Sequence, residues 1–309
     1  MIGIKNIGRY IPEKKIDNLG RLRQFEVSED FIKNKIGINR ISRKEPEEFA
    51  SDLCLKCFED LSGHENDFSL NQIDCVCVCS QNADYRLPHT SAVLHGKLSL
   101  PDSCAAFDLN LGCSGYVYAL LIMKSFMESN DLKFGLLFTS DPYSPILDHE
   151  DKNTELLFGD AATVTLLSEN ADFQINKGIF CTEGNKHDAL IKKNNEKLIM
   201  KGRELFNFLM KHVPLNIKQC LKANDITQSE IDLFLFHQAS KYLIDNLAKR
   251  MHLSPDIVPF AIKDYGNTVS SSIPIILKDY LFEKKVQTIL LSGFGVGLSI
   301  ASLILRRSK

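Results

Sequence analysis

The chain has no tryptophan among its 309 residues, so any aromatic stacking surface must come from its 19 phenylalanines and 8 tyrosines. No apolar run approaches the ~18 residues of a membrane-spanning helix, and a membrane partner is not expected. Strong charge is missing too. A formal net charge of -2 gives no general electrostatic pull toward nucleic acid, which is likewise not expected as a partner. The opening Met1-Ile-Gly-Ile-Lys-Asn-Ile lacks the charged-then-apolar layout of a secretion signal. With nine cysteines, an odd number, the expectation is reduced thiols and a cytoplasmic location.

Cysteine spacing raises the question of metal. Cys54 and Cys57 have CxxC spacing but fall in a helix-like pattern, Ala50-Ser-Asp-Leu-Cys-Leu-Lys-Cys-Phe-Glu-Asp-Leu61. Cys75, Cys77 and Cys79 alternate with Val76 and Val78 as a strand does. Alternate side chains of a strand stand about 7 Å apart, too far for three to share one tetrahedral ion. No second closely spaced Cys/His pair completes a zinc site, so packing is the expected role and no metal is expected.

What is present is ordinary globular material, 44% hydrophobic and 25% charged, with length for two core-bearing domains or two fused halves. The halves echo each other. Ile73-Asp-Cys-Val-Cys-Val-Cys-Ser-Gln81 resembles Ile231-Asp-Leu-Phe-Leu-Phe-His-Gln238, each a buried-strand run closed by polar residues. Phe158-Gly-Asp-Ala-Ala-Thr-Val-Thr-Leu-Leu167 resembles Phe294-Gly-Val-Gly-Leu-Ser-Ile-Ala-Ser-Leu303, read as a Phe-Gly turn leading into a small-residue strand. Strands are expected near 73–79, 105–111, 134–140 and 160–167, with helices near 89–98 and 114–129. The second half repeats this with strands near 174–181, 231–236, 287–292 and 297–305 and helices near 202–222 and 239–250. A layered α/β protein with pseudo-twofold symmetry follows.

Cys113 sits where an apolar strand-like stretch ends and a helical pattern begins, in Ala105-Ala-Phe-Asp-Leu-Asn-Leu-Gly-Cys-Ser-Gly-Tyr-Val-Tyr-Ala-Leu120. Unpaired N–H groups and the positive dipole end of the helix favour a thiolate there, with a pKa expected below the free value of about 8.5. A packing role is the alternative, and a nucleophile needs partners. His237 ends the run at 231–236, the place where functional residues of α/β sheets gather. Alone it also reads as a structural histidine. Asn267, in Lys263-Asp-Tyr-Gly-Asn-Thr-Val-Ser-Ser-Ser-Ile-Pro274, precedes small hydroxyl residues that open a helix, although Gly-Asn by itself is turn chemistry.

Taken together, the Cys113 segment, His237-Gln-Ala239, Tyr265-Gly-Asn-Thr268 and Gly293-Phe-Gly-Val-Gly297 resemble the signatures of β-ketoacyl-acyl-carrier-protein synthase III, in the thiolase superfamily. The likeness extends to Lys35-Ile-Gly-Ile38, Phe107-Asp108 and Phe158-Gly-Asp160, and so runs nearly end to end. It implies a thiolase-like α/β fold in five α-β-α-β-α layers. One half, 1–168, would carry the nucleophile, and the other, 169–309, the His/Asn pair and the glycine-rich loop. Cys113 would take an acyl group from a coenzyme A or acyl-carrier-protein thioester, then pass it to a carbanion made by decarboxylating a malonyl thioester. The thioesters are substrates, and no cofactor is implied. The N–H groups of Cys113 and Val296, the latter between Gly295 and Gly297, would hold the first oxyanion; His237 and Asn267 would hold the enolate.

The resemblance also implies substrate contacts at Phe31, Leu87, Gly202, Arg203, Phe206 and Phe294, and carrier-protein contacts at Gln238, Lys241 and Tyr242. A homodimer paired through the strand ahead of Cys113 is implied too. Several positions depart from the family pattern. Phe31 replaces a tryptophan that stacks on adenine, with a smaller face. Tyr242 stands where a basic residue meets the carrier, Asn207 replaces a lysine, and Val296 interrupts a triple glycine. Leu87 replaces an aromatic that reaches the partner's acyl pocket, which admits a longer or branched acyl group. Two other readings stay open. In one, an acyltransferase delivers the acyl group to an alcohol or amine with His237 as general base; in the other, the chain is a silent partner subunit of a heterodimeric synthase.

Overall fold

Runs rich in Val, Ile, Leu and Phe, each bounded by turn residues, supply the strands of a large mixed sheet, and amphipathic segments between them supply its covering helices. The computed structural model describes residues 1–65 and 68–308. The strands are β1 (Gly3–Tyr10), β2 (Cys75–Cys79), β3 (Ala105–Leu109), β4 (Phe134–Ser140), β5 (Ala162–Ser168), β6 (Phe173–Thr182), β7 (Leu233–Phe236), β8 (Thr288–Gly295) and β9 (Ser299–Arg307). They run in the order β7-β8-β9-β6-β1-β5-β4-β2-β3. The chief helices are α1 (Ala50–Ser62), α2 (Thr90–Lys97), α3 (Gly115–Ser129), α4 (Gly202–Ala223), α5 (Lys241–Arg250) and α6 (Ser272–Tyr280).

The two halves of the sheet repeat one pattern. β2 and β4 pair parallel, while β4–β5 and β5–β1 pair antiparallel. β7–β8, β8–β9 and β9–β6 follow the same sequence of parallel, antiparallel and antiparallel. The halves meet where β1 touches β6 through Gly3 opposite Gln174 and Ile4 opposite Phe173. β3, the edge strand, has no counterpart in the second half among the described residues. β1 was not anticipated; Lys5 and Asn6 interrupt its apolar pattern. The proposed Phe-Gly echo also falls differently. Phe158 and Gly159 precede β5, whereas Phe294 and Gly295 are the last residues of β8, opposite Ile300 and Ser299.

Side-chain alternation then sorts the molecule into layers. Val76 and Val78 pack with Phe138 and Val164 against α1 and α2. Cys75, Cys77 and Cys79 point the other way, into a core shared with Met123 of α3, Ile276 of α6, and Leu235, Leu291 and Leu303 of the other half. The opposite face of that half, with Phe234, Phe236, Leu290 and Phe294, is covered by α4 and α5. The order is therefore helix, sheet, helix, sheet, helix. Period-2 alternation puts the cysteine triplet against α3 as packing.

A buried ion pair fixes a turn that matters later. Glu155, 2% exposed, bonds Arg43 at 2.9 Å and Arg21 at 2.7 Å. Arg43 also donates to the Phe158 carbonyl at 2.6 Å. Leu157 O and Gly159 N in turn grip Asn267 N and O, each at 2.9 Å. Burial pushes the Glu155 carboxyl up, but the guanidinium of Arg43, with Arg21 and His149, outweighs it and holds the pKa below the usual range. Its contribution to stability is thus present above about pH 4.3 and lost as pH falls through the lowered value. Glu155→Gln leaves two guanidinium groups short of their carboxylate and should cost about 3–5 kcal/mol, read as a lower urea midpoint at pH 7. An unchanged midpoint would refute this role.

Candidate active site

β3 ends at Leu109 and α3 begins at Gly115, so Cys113 lies at the helix N-terminus, 4% exposed. The end of β8 presses against it from the other half. A Cβ added to Gly295 would lie 2.7 Å from Cys113 Cβ and 2.8 Å from its Sγ, and one added to Gly293 would lie 2.8 Å from the Cys113 carbonyl oxygen. Only glycine permits that approach. The backbone N–H groups of Val296 and of Cys113 itself bond the sulfur and favour the thiolate. Burial outweighs them, with Asp141 adding to it, and the thiol is pushed up to about 12. The expectation of a depressed pKa is therefore corrected: the helix terminus is present, but the sulfur has lost its water.

His237 follows β7 and is 1% exposed. Burial lowers its pKa to about 3, opposed by a hydrogen bond to the Val269 backbone, so the ring is neutral. Its Nδ1 lies 2.7 Å from Ser272 Oγ, which also takes the Gln238 N–H at 3.4 Å. Asn267, 2% exposed, accepts the Val269 N–H on Oδ1 at 2.9 Å. Val269 reaches that position at φ 53, a left-handed conformation costly for a β-branched residue. Val269 thus ties His237 and Asn267 into one turn. Val269, Cys113 and Val296 pack in a common apolar cluster.

Two cavities flank this cluster. One, about 450 Å³, gathers Phe31, Gly202, Arg203, Phe206 and Tyr242 from the expected residues, together with Lys35, Lys152 and Met200, which the sequence reading missed. Phe206 and Tyr242 stack at 5.3 Å. Lys241 stands beside it, paired with Asp245 at 2.5 Å. The second cavity, about 330 Å³, includes Gln81, Asn110, Tyr143, Val296 and Gly297.

Two expected contacts are placed elsewhere. Gln238 is fully buried; its Nε2 donates to Phe236 O and Pro259 O, and its Oε1 accepts from Ala261 N, so it braces the chain leading to Asn267 and offers nothing to a carrier protein. Phe294 faces the outer core and meets the His237 ring edge-on at 5.7 Å, so it backs the histidine and lines neither cavity. Leu87, expected to reach a partner subunit's pocket, is 87% exposed on this chain. Ser272 and Val269 were missed because nothing in Val269-Ser-Ser-Ser272 marks which side chain turns to His237.

Family models for 3-oxoacyl-[acyl-carrier-protein (ACP)] synthase III match residues 107–184, and for its C-terminal part residues 221–307. The beta-ketoacyl-[acyl-carrier-protein] synthase III of Streptococcus gordonii is 31% identical, with 97% of this chain and 98% of that protein covered. The crystal structure of 3-oxoacyl-(acyl-carrier protein) synthase from Burkholderia xenovorans LB400 superposes with a TM-score of 0.90 at 34% identity, covering 99% of this chain and 93% of that one. A 2.1 Å structure of a 3-oxoacyl-(acyl-carrier-protein) synthase III gives 0.93 at 30% identity, with 99% of each chain covered.

The raised pKa of Cys113 has a direct readout. Its alkylation by iodoacetamide, followed by peptide mass mapping, should keep rising with pH to about 10, because only the thiolate reacts. A plateau reached by about pH 8 would contradict the burial argument.

Proposed function

The chain belongs to the 3-oxoacyl-ACP synthase III family, and from that premise we propose how its residues carry out a decarboxylative condensation in fatty acid biosynthesis. Cys113 Sγ attacks the carbonyl of an acyl-CoA or acyl-carrier thioester. The carbon–sulfur bond to the carrier breaks, and the Cys113 proton leaves with the departing thiol. The N–H groups of Cys113 and Val296 supply the oxyanion donors. A malonyl thioester then loses carbon dioxide, and the carbon freed of carboxylate attacks the acyl-Cys113 carbonyl. Cys113 leaves as a thiolate and regains a proton from water, and a β-ketoacyl thioester is released. The thioesters are the only small molecules this scheme needs.

The observation that carries the reading is the neutral state of His237. A histidine lowered to about 3 is a poor general base at neutral pH, which disfavours acyl transfer to an alcohol or amine, but it remains a good hydrogen-bond donor. In the tautomer protonated on Nε2, with Ser272 Oγ at Nδ1, the ring offers the enolate oxygen a neutral donor. Asn267 has its Oδ1 taken by Val269, which turns its amide N–H groups to the same task. Phe31, Arg203, Phe206 and Tyr242, which line the cavity of about 450 Å³, are the surface for a coenzyme A or carrier-protein arm. Nine free cysteines suit a cytoplasmic enzyme, and no helix among the described residues is long and apolar enough to cross a membrane.

We read the chain as one subunit of a homodimer. β3 is an unpaired edge of half-buried apolar residues, and pairing it across a twofold axis removes a template for aggregation. Size-exclusion chromatography with light scattering should give twice the 34.9 kDa chain mass; a monomer at micromolar concentration would contradict it. Asn267→Ala should keep acylation of Cys113, seen by intact mass, while carbon dioxide release from malonyl thioester falls by about 10²–10³. Undiminished release in that variant would favour acyl transfer to another acceptor.

A further inference from the structure

The cavity of about 330 Å³ beside Val296 is lined in part by the carboxamides of Gln81, Asn82 and Asn110. An added Cβ on Gly112 would lie 2.4 Å from Gln81 Oε1 and 2.8 Å from Val296 Cγ1, so the Gln81 carboxamide lies against the residue before the nucleophile. It is held there. Tyr143, 2% exposed, donates its hydroxyl to Gln81 Oε1 at 2.9 Å. Buried Asp141 takes the Gln81 N–H at 3.1 Å and Asn82 Nδ2 at 2.8 Å. Gln81 is itself exposed; with its oxygen engaged by Tyr143, its amide nitrogen has no protein partner among the described residues and faces the water that fills the cavity. Leu190 stands in the same lining, with His187 and Lys192, so the space offers apolar contact together with one amide donor whose oxygen is anchored by Tyr143.

We infer that the acyl group accepted by Cys113 carries an oxygen function close to its thioester carbonyl, a hydroxyl or keto group that accepts the Gln81 amide N–H. A purely hydrocarbon chain in this space strips water from the amide and returns no hydrogen bond, whereas an oxygenated chain replaces the water. Specificity of this kind comes from the polar group left unpaired when the analogue lacks its oxygen. The inference rests on the reading of Cys113 as the acylated residue.

The test is single-turnover acylation of the full-length protein, followed by intact mass, with 3-hydroxybutyryl-CoA and isovaleryl-CoA. These differ by a hydroxyl in place of a methyl. The wild type should load the hydroxyacyl group about tenfold faster or more. Gln81→Leu should bring the ratio to about one, and so should Gln81→Glu, which keeps the shape but removes the N–H donor. Tyr143→Phe, which frees the carboxamide to turn, should lower the ratio as well. Faster loading of isovaleryl by the wild type, or a ratio untouched by both Gln81 variants, overturns the inference and leaves the condensing reading intact. No adduct from any thioester overturns both.

Discussion

The site depends on one close contact, the glycine-rich end of β8 laid against the backbone of Cys113 at the start of α3. Gly293 and Gly295 bring two chain segments from opposite halves nearer than any side chain would allow. That approach places the Val296 N–H on the sulfur. It also seals the sulfur from solvent. Each half alone holds part of the chemistry: the first has the nucleophile, and the second has the donors and the loop. The duplicated sheet therefore acts as a frame whose central layer, α3 and α6, sets the strand ends that meet at the site.

Burial sets the charge states. Loss of water raises the Cys113 thiol to about 12 and lowers His237 to about 3, so both rest neutral. A neutral pair suits a reaction whose negative charge arises on the substrate, first on a thioester oxygen and then on an enolate. Donors fixed in a dry site need no reorganisation when that charge develops. The left-handed Val269, the Ser272 hydroxyl and the Arg43–Glu155 pair beneath Asn267 hold those donors in place.

Much of this was legible in the sequence because it was written in short-range pattern. Ile73–Cys79 and Ile231–Phe236 read as buried strands from their apolar runs, and Cys113, His237 and Asn267 stood out at the ends of such elements. What failed needed three dimensions. β1 carries Lys5 and Asn6 within an otherwise apolar run, and only its neighbours on both sides show why it is central. Gln238 reads as exposed beside a catalytic motif, yet three carbonyl and amide partners in the core consume it. The Cys113 pKa reads low from the helix terminus alone, because desolvation by the opposite half has no local signature. Gln81 and Tyr143 gained meaning only when the fold set them beside Gly112 and Val296.

The β8–β9 turn builds the oxyanion site for an acyl-Cys113. A crystal structure of the acylated enzyme tests it most directly. The thioester carbonyl oxygen should lie about 2.7–3.1 Å from both the Cys113 and Val296 backbone nitrogens. An acyl group on another cysteine, or a carbonyl oxygen turned away from Val296, would contradict it.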